Sequence, residues 1–209
     1  MHPQHILKIS EIFPSIQGEG LRQGEPTLFV RLSGCNLKCD FCDTKYAWTS
    51  GQEMAVSRVM ERVRKIHHIF PAKWVSLTGG EPLLQKVEVL VRRVKNEGFK
   101  IQVETNATIY RPMAVDWYTI SPKPPKYLYQ PEYRKKAKEV KIVVTRGLEL
   151  RVLQKLRQEL PVKIPLLLQP QSNRKWSLDQ AMKLLKQALE ADLNNIRLSV
   201  QIHKIFGWR

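Results

Sequence analysis

The sequence predicts an α/β protein on a mostly parallel sheet, wrapped as an incomplete barrel that stays open. Apolar stretches of strand length alternate with stretches in which apolar residues recur at helical spacing, the pattern of successive βα units. The chain has 209 residues, too few for a complete eightfold barrel. Its unusual polar clusters fall just after the strands, at the carboxyl ends where such folds place their ligands. No repeat, low-complexity tract or Gly/Ser linker divides the chain, so one domain over residues 1–209 is expected.

In chain order, strands are expected over 6–12, 27–32, 73–77, 100–104, 117–120, 140–144, 164–169 and 195–200. Between some of them lie four helical stripes. The first is Val56, Val59, Met60 and Val63, and the second is Leu84, Val87, Val91 and Val94. The third is Leu150, Leu153, Leu156 and Leu160, and the fourth is Leu178, Met182, Leu185 and Leu189. The proline-rich stretch 122–131 begins at a strand end and reads as an ordered loop in place of a helix.

The first strand leads to Gln17-Gly18-Glu19-Gly20, a glycine-flanked loop presenting an amide and a carboxylate. That pair suits the donor and acceptor edge of a pterin or purine ring, and it equally suits a plain turn. Arg31 stands one residue before the end of the second strand, where a guanidinium can grip a carboxylate with two parallel hydrogen bonds.

All three cysteines follow that strand within eight residues, as Cys35-Asn36-Leu37-Lys38-Cys39-Asp40-Phe41-Cys42. The odd count and cramped spacing fit disulfides poorly. A structural zinc would need His67 or His68 as a fourth ligand, and neither has the usual paired spacing. Three thiolates can instead hold three irons of a 4Fe-4S cluster and leave the fourth open to a ligand. The third strand then runs into Thr78-Gly79-Gly80-Glu81-Pro82. Later strand ends carry Glu104 and Asn106, Ser121 and Lys123, Gln171, and Gln201 with His203.

The cysteine triplet, with Gly-Gly-Glu-Pro roughly forty residues on in a strand-to-loop context, resembles the signature of radical S-adenosylmethionine enzymes. The amino-terminal block 11–20, Arg31, and 33–44 through Cys42-Asp43-Thr44 resemble the 7-carboxy-7-deazaguanine synthase family, and the likeness runs on to Gln201 and His203-Lys204. This resemblance implies a barrel of the radical S-adenosylmethionine type and conversion of 6-carboxy-5,6,7,8-tetrahydropterin into 7-carboxy-7-deazaguanine, with loss of ammonia. It further implies that hydrogen is taken from C6 of the pterin and one is later returned, so that S-adenosylmethionine acts catalytically. Cys35, Cys39 and Cys42 then hold the cluster, and Thr44 helps hold Mg2+, a hard cation completed by substrate and water. Gly80, Glu81, Glu104, Asn106, Ser121 and Lys123 are the expected S-adenosylmethionine contacts. Gln17, Gly18, Glu19, Gly20, Arg31, Thr78, Gln171 and His203 are the expected substrate contacts. Ala107 stands where relatives often carry glycine, so the loop after Asn106 is expected to run differently. The tail 206–209 either closes over the substrate or packs against the fold.

Lys and Arg outnumber Asp and Glu by 35 to 19, a net charge of +16 and a pI near 9.9. That excess suits docking of an acidic flavodoxin or ferredoxin reductant or an anionic substrate. Without a recognised nucleic-acid motif, a nucleic-acid partner is not expected, and the run Arg134-Lys135-Lys136-Ala137-Lys138 reads as a solvated face. No signal peptide or membrane-spanning run is evident, so a cytoplasmic protein with reduced thiols is expected. A homodimer is also expected. Two other functions fit parts of the pattern: an activase that installs a glycyl radical on a partner, and an RNA-binding module with a structural metal.

Overall fold

The computed structural model describes residues 5–208. Their contacts divide into two compact units interleaved in sequence. The first holds the chain through Ile16 together with Glu25–Thr105 and Ile109–Tyr118. The second holds Gln17–Gly24, Asn106–Thr108 and everything from Thr119 onward.

In the first unit the strands are β1 (Ile6–Ile16), β2 (Pro26–Leu32), β3 (Gln52–Ala55), β4 (Trp74–Gly79) and β5 (Lys100–Thr105), in the order β3-β1-β2-β4-β5. β2, β4 and β5 run parallel, with Leu28, Val30, Val75, Leu77, Ile101 and Val103 fully buried. That is the near-continuous apolar reading of a strand covered on both faces. β1 departs from a pure βα pattern by pairing antiparallel with both β2 and β3. β3 was not expected from the sequence; its short, half-polar Gln-Glu-Met-Ala run carries little strand signal. Helices α1 (Val56–Ile69) and α2 (Glu88–Asn96) turn Val56, Val59, Met60 and Val63, and Leu90, Val91 and Val94, inward. Leu84 lies before α2, in a short 3-10 turn.

In the second unit β6 (Trp117–Ile120), within which the unit boundary falls, is followed by a short helix α3 (Tyr133–Lys136) and β7 (Ala137–Val144). Then come α4 (Leu150–Glu159), β8 (Leu166–Pro170), α5 (Lys175–Glu190), β9 (Ile196–Leu198) and a closing turn of helix α6 (Ile202–Ile205). The strand order is β6-β7-β8-β9, with β7, β8 and β9 parallel. Neither run of strands closes on itself, and parallel pairs prevail over antiparallel ones within the two runs, as expected.

Helix α5 corrects the reading of the fourth stripe. Its inward face is Ser177, Ala181, Leu184 and Ala188. Leu178, Met182 and Leu189 are 36%, 50% and 68% exposed. Small residues let α5 lie close on β8 and β9, and the larger side chains are left outside. The stretch after Ser121 is an ordered, helix-free loop, with the Tyr127 N–H donating to Lys123 O at 2.9 Å. Arg134, Lys135, Lys136 and Lys138 are exposed, a solvated face as read from the sequence. Phe206 and Trp208 are exposed rather than packed, and Arg209 lies outside the described residues.

Candidate active site

In the first unit the cysteine loop leaves the end of β2 and the Gly-Gly-Glu-Pro loop leaves the end of β4, its parallel neighbour. The two loops are fastened backbone to backbone. Gly80 N–H donates to Leu32 O at 3.2 Å and Glu81 N–H donates to Gly34 O at 2.7 Å. A Cβ on Gly80 would come 2.0 Å from Gly34 O and 3.0 Å from Cys35 Cβ. On Gly79, whose φ is +133°, it would come 2.1 Å from Leu32 O. The glycine pair is therefore required by close approach to the cysteine loop itself, an immediate reason the sequence did not reveal.

Cys35, Cys39 and Cys42 are half-buried and form no disulfide. Among the described residues no three His, Cys, Asp or Glu side chains converge on one point as a single metal ion requires. Three thiolates around a cubane bind separate irons at separate corners, so they need not converge on one point. Three accessible thiols on one loop, with glycine backbone packed beside Cys35, fit such a cluster. His67 stands edge-on to Phe99 on α1, with ring centres 5.0 Å apart.

Glu81 is fully buried, and its Oε1 accepts from Leu83 N–H at 3.0 Å and from the Thr105 hydroxyl at 2.7 Å. Its carboxylate braces the loop from within. The Thr44 hydroxyl donates to Asp43 Oδ1 at 3.1 Å, and Thr44 N–H approaches Cys42 Sγ at 3.4 Å. Two hard oxygen donors thus stand together just past the last thiol. Only Thr44 of this pair was expected as a metal ligand.

Arg31 and Thr78 are register partners on β2 and β4. Arg31 Nε donates to Glu11 Oε1 at 2.7 Å, and the same oxygen accepts from Tyr46 Oη at 2.5 Å. The guanidinium also lies 5.5 Å from the Phe13 ring centre and 5.9 Å from that of Tyr46. Glu11 follows an irregularity in the β1–β2 register and stands directly opposite Arg31. The Nε edge of the fork is thus committed, and the Nη edge is what Arg31 can offer a ligand. Glu104, at the end of β5, is half-buried with Gln102 Nε2 at 3.5 Å.

The second unit gathers the other loop. Gln17 is buried, its Oε1 accepting from Glu19 N–H at 3.2 Å. Glu19 is ion-paired with Lys141 on β7, and its other oxygen accepts from Gln201 Nε2 at 2.5 Å. Gly20 N–H donates to Ser199 Oγ at 3.0 Å. Leu21 N–H and the Thr119 hydroxyl donate to the buried carboxylate of Glu139, at 2.6 and 2.7 Å. The ring of His203 lies so near Gly18 that a Cβ there would come 1.9 Å from Nδ1. Asn173, two residues past Gln171, exchanges hydrogen bonds with the Gln201 backbone at 2.8 and 3.0 Å. The structure thus brings Gln17, Gly18, Glu19, Gly20 and His203 together, with Gln171 on an adjoining turn. The expected list missed Glu139 and Lys141, the charges that hold the loop.

Asn106 and Ser121 are also buried in this unit. Asn106 Oδ1 accepts from the backbone and hydroxyl of Thr108, at 2.9 and 2.7 Å. The Ser121 hydroxyl donates to Lys141 O at 2.7 Å and receives Lys123 Nζ at 2.5 Å. Ala107 is buried with φ of +67°, so the loop holds a glycine-like conformation despite the alanine, at a cost of about 1–2 kcal/mol.

The profile of the Radical SAM superfamily matches residues 29–208. A 7-carboxy-7-deazaguanine synthase of Aquifex aeolicus is 36% identical, over 96% of this chain and 94% of its own. That of Haemophilus influenzae is 34% identical, over 95% and 92%. The crystal structure of QueE from Escherichia coli superposes with a TM-score of 0.76 at 26% identity, covering 94% of each chain. The chain belongs to the 7-carboxy-7-deazaguanine synthase family of the radical SAM superfamily. Membership implies a 4Fe-4S cluster and S-adenosylmethionine. Among the described residues no helix is long and apolar enough to cross a membrane.

Proposed function

We propose that the chain contracts the ring of 6-carboxy-5,6,7,8-tetrahydropterin to give 7-carboxy-7-deazaguanine and ammonia, on the route to queuosine and related deazapurines. The observation that carries this reading is the match to synthases over nearly the whole chain. When bound, the cluster and S-adenosylmethionine supply radical chemistry that no side chain can. Cys35, Cys39 and Cys42 would hold the cluster, and the Gly80 carbonyl would meet the amino group of S-adenosylmethionine. Glu104, Asn106, Ser121 and Lys123 remain proposed cofactor contacts, while the buried Glu81 positions the loop instead of touching ligand.

Arg31 would present its Nη edge to the substrate carboxylate, with Thr78 beside it. In the second unit, Gln17, Gly18, Glu19 and Gly20 would read the donor and acceptor edge of the pterin, with Gln171 and His203 as further contacts. Thr44, helped by Asp43, would hold Mg2+ through oxygen. In this reading residues 1–209 work as a single domain in the cytoplasm, receive electrons from an acidic flavodoxin or ferredoxin, and pair as a homodimer.

The deciding experiment is anaerobic turnover by the reconstituted protein, using carboxytetrahydropterin deuterated at C6. Formation of 7-carboxy-7-deazaguanine, with label passing into recovered S-adenosylmethionine, is expected. Irreversible deoxyadenosine release without a pterin product would favour the glycyl-radical activase. RNA binding with no cleavage of S-adenosylmethionine would favour the binding module.

A further inference from the structure

Helix α5 carries a stripe that its own fold leaves uncovered. Leu178, Met182, Leu185 and Leu189 follow one another at spacings of four, three and four, so they share one face about 16 Å long. Leu185 is half-buried and the other three are exposed, while α5 packs its small residues on β8 and β9. Leu198 on β9, at the free end of the strand order, is also exposed. Apolar side chains aligned on a solvated helix are more than the scattered exposure of an ordinary surface.

The charges beside the stripe indicate what covers it. Lys175, Asp179, Lys186 and Glu190 all project from one flank of that face, in the order plus, minus, plus, minus. Within the helix they pair as Lys175–Asp179 and Lys186–Glu190, at 3.2 and 3.7 Å, and all four are well exposed. In a two-fold arrangement the same flank meets itself with the direction reversed. An antiparallel second α5 then sets Lys175 opposite Glu190 and Asp179 opposite Lys186, while Leu178 meets Leu189 and Met182 meets Leu185. Each of these four charges faces its opposite and each apolar residue of the stripe faces another. A parallel two-fold pairing would put the two charged flanks on opposite sides of the seam, where they could not meet.

We propose that α5 is the homodimer interface, joining antiparallel to α5 of a second copy about an axis near Met182 and Leu185. This assignment rests on the dimer reading above and is independent of the reaction. The small apolar area predicts a weak, concentration-dependent dimer.

The test is molar mass by light scattering and sedimentation over a dilution series of the full chain. Wild type is expected to pass from dimer to monomer on dilution. Met182→Glu puts a carboxylate into the apolar seam twice per dimer, and its dissociation constant should rise roughly tenfold or more. Asp179→Lys alone and Lys186→Asp alone should each weaken the dimer, and the double exchange should restore it, which general damage to the helix would not do. Because these positions are exposed, thermal melting of the dilute monomer should be nearly unchanged. A wild type that stays monomeric at every concentration would overturn the dimer reading and this surface with it. A dimer indifferent to Met182→Glu and to both charge reversals would keep the dimer reading and overturn α5 as its interface.

Discussion

The two units hold their functional loops by opposite means. In the first, the cysteine loop and the Gly-Gly-Glu-Pro loop are joined main chain to main chain, with Gly79 and Gly80 bringing no Cβ into the contact. In the second, the Gln17–Gly20 loop is fastened largely by charged and polar side chains, through Glu139, Lys141, Ser199 and Gln201. A backbone clamp keeps thiols accessible and adds no side-chain charge of its own, which suits residues that must bind iron. An ionic clamp fixes the orientation of a carboxylate and an amide, which suits residues that must read a ring. The first should fail by steric change, the second by loss of charge.

The largest effect is expected where the clamp presents its ligands. Cys39→Ala, like alanine at Cys35 or Cys42, should abolish cluster-linked visible absorbance and turnover. Full iron loading with activity in any of the three would remove the cluster from this unit. Gly80→Ala tests the clamp itself, because its new Cβ meets a carbonyl oxygen that cannot rotate away. We expect a loss on the order of 3 kcal/mol in stability, with poor iron loading. Gly18→Ala is the matched substitution in the second unit, and there the Cβ meets the movable ring of His203, so the loss should be smaller. Equal losses at the two positions would erase the contrast.

Lys141→Met is the converse test. It leaves Glu19 largely buried without its cation, although Gln201 still donates to the carboxylate. Breaking a buried pair on one side costs about 3–5 kcal/mol, and the surviving hydrogen bond points to the lower end. The substrate KM should rise while iron loading per chain stays at the wild-type value. Reduced iron content in this variant would show that the two loops are not held independently.

These contrasts also explain what the sequence disclosed. The first unit's chemistry was legible because the cysteine spacing and Gly-Gly-Glu-Pro are local patterns, and the strand ends located them. The clamping role of the glycine pair was not legible, since a contact between loops more than forty residues apart leaves no local trace. Glu139 and Lys141 were not legible as anchors. In Lys138-Glu139-Val140-Lys141 they look like ordinary strand charges, and the loop residues they hold, Leu21 and Glu19, lie more than a hundred residues earlier in the chain. The face of α5 was misread for a related reason: leucine and methionine outweigh serine and alanine in any pattern of hydrophobicity, yet close packing selected the small residues.

Arg31→Lys probes a side chain of the first unit that is itself held by side chains, the carboxylate of Glu11 and the rings of Phe13 and Tyr46. An ammonium cannot reproduce the guanidinium fork, so KM for the pterin should rise by a factor equivalent to about 1.5–3 kcal/mol, with S-adenosylmethionine affinity nearly unchanged. An unaltered KM would leave Arg31 as a strut for Glu11 and Tyr46.

The smallest effect should come from Asp116, a partly exposed ionic tie in the first unit. Burial pushes its carboxyl up, but Lys95 Nζ at 2.6 Å and Ile101 N–H at 2.8 Å outweigh that and hold it below the usual carboxylate value. A carboxylate depressed in the fold contributes stability that is fully present above its unfolded value, near 3.9, and is lost as pH falls through the lower folded one. Asp116→Asn should therefore cost roughly 1 kcal/mol at neutral pH, as expected for a partly exposed pair. It should also flatten the acid limb of the stability curve below about pH 4. Chemical denaturation from pH 3 to 7 would show it, and an identical acid limb in wild type and variant would mean that Asp116 does not supply the acid sensitivity of this unit.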